Sequence, residues 1–174
     1  LPKNISGKVC LLRVDFNVDP SAGSTSSLQA GSGQAPSASS GQEVLRLESS
    51  LPTLKFLRKK GARVVILSHR GRPKASIKYF DSELSLKVFI PFLRKNLRGK
   101  IIYLNDIPDK LPDEKVFLLE NLRFWPGEET NDLNFAKNLA KLGDFYVNDA
   151  FAVSHRENAS VTQLPKLLPA YAGL

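Results

Sequence analysis

Five short stretches of the chain are dominated by large apolar residues: KVCLLRVDFN (8–17), ARVVILSH (62–69), KIIYLNDI (100–107), KVFLLENL (115–122) and DFYVNDAF (144–151). Runs of this length without strict alternation predict strands covered on both faces, the mark of a parallel sheet. The segments between them have helical periodicity. Leu47, Leu51, Leu54 and Leu57 recur on one helical face, with Pro52 tolerable in a first turn and Gly61 as a stop. Ser85 to Leu97 places Leu86, Phe89, Leu93 and Leu97 on one face, while Thr130 or Asn131 can cap a segment carrying Phe135, Leu139 and Leu142 before Gly143. A shorter helical piece is expected from Ser160 to Leu168, weakened by Pro165. Strand and helix alternating in this way predict a three-layer α/β/α sandwich with a mostly parallel, Rossmann-like sheet and right-handed crossovers.

Residues 20–42 break the pattern, because they carry no charge, few large apolar groups and much Ser, Gly and Ala. Such a stretch cannot bury enough surface to offset its ordering entropy, so it reads as a flexible insertion into a single domain spanning 1–174. A natural spacer and an engineered loop replacement would look alike. The single cysteine, Cys10, argues against a disulfide scaffold and a thiolate zinc site. No run approaches the ~18 apolar residues of a membrane span, and the first ten residues lack the layout of a signal peptide. A soluble, cytoplasmic protein is the expectation, and the missing initiator Met suggests a trimmed chain.

The formal net charge of +8 favours anionic ligands without saying which. Distribution narrows the choice. In open parallel sheets ligands sit beyond the carboxyl ends of the strands. The segments that gather there are Asp15-Phe16-Asn17 after the first run, Ser68 to Arg72 after the second, Glu120 to Arg123 after the fourth, and Asn148-Asp149 with Ser154-His155-Arg156 after the fifth. Both histidines lie in Ser-His-Arg tripeptides on this rim, and the arginine fork matches phosphate or carboxylate oxygens in pairs. No metal-ligand spacing, glycine-rich nucleotide fingerprint or nucleophile elbow is present, so no metal site is expected. Aromatics do not interleave with basic residues as in nucleic-acid readers.

Five strings, LLRVDFNV (11–18), LRLESSLPTLKFL (45–57), VVILSHRGRPK (64–74), LLENLRFWPGEE (118–129) and YVNDAFAVSHRENAS (146–160), resemble the N-terminal lobe of the phosphoglycerate kinase family, in the family's order. The resemblance implies reversible phosphoryl transfer between ATP and 3-phosphoglycerate in glycolysis. It implies that Asp15 and Asn17 meet the hydroxyl and carboxyl end of the substrate, and that His69, Arg72, Arg123 and Arg156 cradle its phosphate. Phe16, Arg70 and Gly71 belong to the same substrate-binding strings, and Arg46, the implied catalytic residue, faces the transferring group. The partners implied are 3-phosphoglycerate or 1,3-bisphosphoglycerate and a C-terminal lobe, with no nucleic acid or membrane, in a monomer. No cofactor is expected in this chain; Mg-ATP or Mg-ADP is expected on a second lobe, itself expected to lie outside the chain, so turnover by the chain alone is not expected. Arg70 stands where the family usually has an apolar residue, Ala152 where glycine is common, and Asn158 where a second histidine is common. A stand-alone anion- or nucleic-acid-binding module, or an engineered scaffold built on the lobe, are the alternatives.

Overall fold

The structure, a computed structural model, describes residues 3–18, 45–73 and 82–174; the Ser/Gly-rich stretch at 20–42 lies outside the described residues. Among the described residues six strands form one sheet: β1 (Val9–Arg13), β2 (Arg63–Leu67), β3 (Ile102–Leu104), β4 (Val116–Leu119), β5 (Phe145–Asn148) and β6 (Ala170–Ala172). Their order is β3-β4-β2-β1-β5-β6, and every neighbouring pair is parallel. β1 to β5 are the strands the five apolar runs predict, trimmed at their ends. β6 was not expected: its sequence AYA carries one large side chain, and it pairs only with β5 at the edge. No helix among the described residues is long and apolar enough to cross a membrane.

Side chains alternate across the sheet, and both faces are covered. Cys10, Leu12, Val64, Ile66, Val116, Leu118, Phe145 and Val147 face one layer, built with Leu54 and Leu57 of α1 (Leu51–Lys59) and Leu93 and Leu97 of α2 (Ile90–Leu97). Val9, Leu11, Val65, Leu67, Phe117, Leu119 and Tyr146 face the other. That layer holds α4 (Leu133–Ala140) and the short pieces α5 (Ala159–Thr162) and α6 (Leu164–Leu167); α3 (Pro126–Glu129) precedes α4. Cys10, the second residue of β1, is fully buried, and burial holds its thiol pKa well above the ordinary value.

Local chemistry corrects three helical expectations. Pro91 cannot donate a backbone hydrogen bond, so the segment from Ser85 starts as a 3₁₀ turn (Leu86–Phe89) capped by Ser85 and becomes α-helical only at Ile90. Pro165 likewise falls in the first turn of α6, dividing the expected Ser160–Leu168 helix in two. The cap of α4 is Asp132, whose Oδ1 accepts from the Phe135 amide at 2.7 Å, rather than Thr130 or Asn131. Asn131 instead takes a left-handed conformation in the preceding turn, with φ +57°.

Candidate functional site

The carboxyl ends of β1, β2 and β4 are laced together before any ligand arrives. Ser68 Oγ donates to the Val14 carbonyl and accepts from the Phe16 amide, both at 2.9 Å, fixing the chain after β2 against the chain after β1. Phe16 then turns inward, fully buried, and its ring meets Phe89 at 5.2 Å between centroids. Its side chain thus belongs to the core. Asn121, fully buried after β4, satisfies its whole amide: Oδ1 accepts from the Arg70 and Arg123 amides, and Nδ2 donates to the carbonyls of Arg70 and Leu84. Glu120 beside it accepts from the amides of Leu86 and Asn121 and from Ser85 Oγ and the Tyr103 hydroxyl.

Gly71 is the junction of this edge. It adopts φ +59°, a left-handed conformation that calls for glycine, and an added Cβ would push on Leu84 Cδ2 at 2.6 Å. Its amide donates to Asn17 Oδ1 at 2.8 Å, while its carbonyl accepts from Arg123 Nη1 at 2.5 Å. One residue therefore joins Asn17 to Arg123. Arg123 is 6% exposed and also pairs with Glu129, Nε to Oε1 at 3.1 Å. Burial lowers its pKa, Glu129 opposes that shift, and Arg156 and Arg72 lower it further. These two cations therefore act on Arg123.

His69 carries the alternation of Val65 and Leu67 one step past β2, onto the face where Arg13 ends β1. Arg13 Nη2 lies 2.9 Å from His69 Nδ1. A guanidinium has donors only, so Nδ1 must accept and the neutral ring must carry its hydrogen on Nε2. That Nε2 is buried and has no partner, which leaves one directed N–H donor available. Burial, reinforced by Arg13, Arg123 and Arg156, pushes the imidazole pKa down to about 2. The ring is thus a neutral donor among cations, contributing direction rather than charge.

Sequence reasoning passed over Arg13, although Val9, Leu11 and Arg13 place it at a buried position of an apolar strand. It is 2% exposed. Nε donates to Ser160 Oγ at 3.1 Å and Nη1 to the Val14 carbonyl. Ser160 passes the contact on: its hydroxyl donates to Glu128 Oε1 at 2.6 Å and its amide to Oε2 at 2.9 Å. Glu128, itself 1% exposed, counters the burial that lowers the Arg13 pKa. The only signal for this network was a charge inside a run otherwise destined for the core.

The remaining candidates are placed as follows. Asp15 is half-buried, its Oδ1 accepts from the Asn17 amide at 3.1 Å, and its charge acts on Arg13. Arg70 donates Nε to the Val18 carbonyl at 3.3 Å and Nη1 to the Glu83 carbonyl, with its head 5.9 Å from the Phe89 centroid. Backbone carbonyls thus occupy two of its donor groups. Arg72 is exposed and Arg156 half-buried. Arg46 is exposed on the helical turn 45–49 and lies outside this network. Hydrogen bonds therefore join Asn17, Gly71 and Arg123, and His69 to Arg13, while Asp15, Arg72 and Arg156 lie near enough for their charges to act on this group. No group of three or more His, Cys, Asp or Glu among the described residues could hold a metal ion.

The arrangement offers an anion one neutral N–H donor, several guanidinium groups and an asparagine amide, all on a braced backbone. The comparisons agree in pointing to one family. The family model described as phosphoglycerate kinase matches residues 34–174. The chain is 39% identical over 178 residues to a phosphoglycerate kinase of Wolbachia from Brugia malayi and 40% identical over 179 residues to that of Caulobacter vibrioides. Each alignment covers 98% of this chain but 40% of the relative, so the chain spans about two-fifths of the length of these curated relatives. The phosphoglycerate kinase structure from Coxiella burnetii superposes with a TM-score of 0.76 at 31% identity, covering 97% of this chain and 39% of that one. That from Pyrococcus horikoshii gives 0.71 at 28% identity, covering 98% and 40%. Motifs, sheet order and family model converge, and the chain belongs to the phosphoglycerate kinase family.

Proposed function

We propose that this chain is the lobe of a phosphoglycerate kinase that holds 3-phosphoglycerate or 1,3-bisphosphoglycerate for reversible phosphoryl transfer with ATP. The observation that carries the reading is the union of Asn17, Gly71 and Arg123 by two hydrogen bonds beside His69. Arg123, Arg156 and Arg72 meet the dianionic phosphate with fixed charge, and His69 Nε2–H adds one oriented donor. Asn17, with Oδ1 held by Gly71, offers its Nδ2–H donors to the carboxyl or hydroxyl end, and the Asp15 carboxylate accepts from the hydroxyl. Arg46 acts as the catalytic residue, stabilising charge on the transferring group.

Phosphoryl transfer asks little covalent work of the protein, so alignment and electrostatic stabilisation account for most of the rate. A second lobe would hold Mg-ATP or Mg-ADP, which donates or receives the phosphoryl group. The chain alone then binds its acid substrate without turnover; the whole enzyme is a cytoplasmic monomer. Calorimetric titration with 3-phosphoglycerate tests the reading: Arg123→Met should weaken binding about 100-fold, the loss of a charge-assisted contact. Binding by this variant within threefold of the parent would overturn the site. Robust ATP formation by the purified chain would overturn its dependence on a second lobe.

A further inference from the structure

The opposite end of the sheet holds a cationic cavity. Its volume is about 450 Å³, and it lies where α1 and α2 end and where β2 and β4 begin. Lys55, Arg58, Lys59, Arg98 and Lys115 line it, with no carboxylate among the lining residues. Arg58 is engaged, donating Nη1 to the Leu97 carbonyl at the end of α2. The side chains of Lys55, Lys59, Arg98 and Lys115 are exposed and have no hydrogen-bond or ion-pair partner among the described residues.

Basic residues commonly gather at helix carboxyl ends, because each end presents about half a negative charge. Two such ends neutralise about one of the five cations here, leaving about four positive charges around one cavity. Dipole compensation therefore explains only a small part of the cluster. Its lining also restricts the ligand. No aromatic side chain is present to stack a base, and the apolar members, Ala62 and Leu97, are 2% and 5% exposed, too little to take a lipid tail. A single phosphate cannot reach cations distributed around a space of this size.

We infer that this cavity is a binding site for a compact polyphosphate anion, separate from the site at the carboxyl ends of the strands. The five-residue strands β1 and β2 set the two ends about 15 Å apart or more, so each can be read independently. Nothing in the inference depends on what the carboxyl-edge site binds.

Amide spectra of the chain titrated with inorganic triphosphate, at an ionic strength near about 0.15 M where exposed charges are screened beyond about 8 Å, test it. Saturable shifts are expected at Gly61, Ala62, Leu97, Arg98 and Lys115, with orthophosphate at least tenfold weaker. Lys59→Gln combined with Lys115→Gln should weaken triphosphate at least tenfold at these amides, without changing the melting temperature. Triphosphate held at the carboxyl edge would be seen separately, at Gly71 and Arg123. Shifts at the cavity that stay linear into the millimolar range, or a double variant binding within twofold of the parent, would overturn the inference.

Discussion

The two ends of the sheet use the same kind of residue in opposite ways. At the carboxyl end, Arg13, Arg70 and Arg123 are all held by backbone carbonyls, and Arg13 and Arg123 are almost wholly buried. At the amino end, Lys55, Lys59, Arg98 and Lys115 are exposed and unpaired among the described residues. Charge is thus tied to the backbone in those three arginines and left unpaired in these four residues, although Arg72 at the carboxyl end is exposed and Arg58 and Arg63 at the amino end are held by carbonyls. A buried guanidinium is costly to place but loses little freedom when a ligand arrives, whereas an exposed lysine is cheap to place and must be ordered on binding. The first arrangement suits a ligand of fixed shape, and the second suits one defined mainly by charge.

The strongest way to break this contrast is Arg13→Met. It leaves His69 Nδ1, Ser160 and the buried Glu128 without their cation, and unfolding free energy should fall by about 3–5 kcal/mol in urea titrations. A loss below 1 kcal/mol would show that the carboxyl edge is not braced by this charge.

A smaller effect concerns pH. The folded-state pKa of His69 lies below its ordinary value of 6.5, at about 2, so the native ring stays neutral while the unfolded ring gains a proton. Its contribution is therefore complete above pH 6.5 and declines as pH falls through the window down to about 2. Between pH 6.5 and 5 that decline is about 2 kcal/mol. His69→Gln should remove this part of the pH dependence of stability, and an unchanged slope would place the proton elsewhere.

The smallest effect belongs to the other end. Lys55→Gln should move stability by less than about 0.5 kcal/mol and leave 3-phosphoglycerate titrations unchanged. A larger change in either would join two sites that the contrast keeps apart.

Residue patterning disclosed the central strands because each carries enough large apolar side chains to need cover on both faces. It also disclosed that the polar residues following β1, β2 and β4 share one edge, since parallel strands must end together. It did not disclose Arg13, because a period-two pattern tells which face a residue occupies but not whether Glu128 and Ser160 wait there from more than a hundred residues away. β6 escaped because two alanines and one tyrosine give no periodic signal; its position is set by pairing with β5. The helix starts near Pro91 and Asp132 were displaced for local reasons, a missing donor in one case and a better-placed carboxylate in the other.

Cys10 gives this molecule a built-in reporter. The chain has one thiol, sealed inside β1 between β2 and β5 and held in its unreactive protonated form. An alkylating reagent can reach it only in molecules whose central strand has come free. Where reopening and closing outpace alkylation, the labelling rate counts that rare population, and anything that grips the closed form slows it by one plus the ratio of ligand concentration to Kd. Occupancy at either end of the sheet becomes readable by mass spectrometry from a single sulfur atom that touches neither.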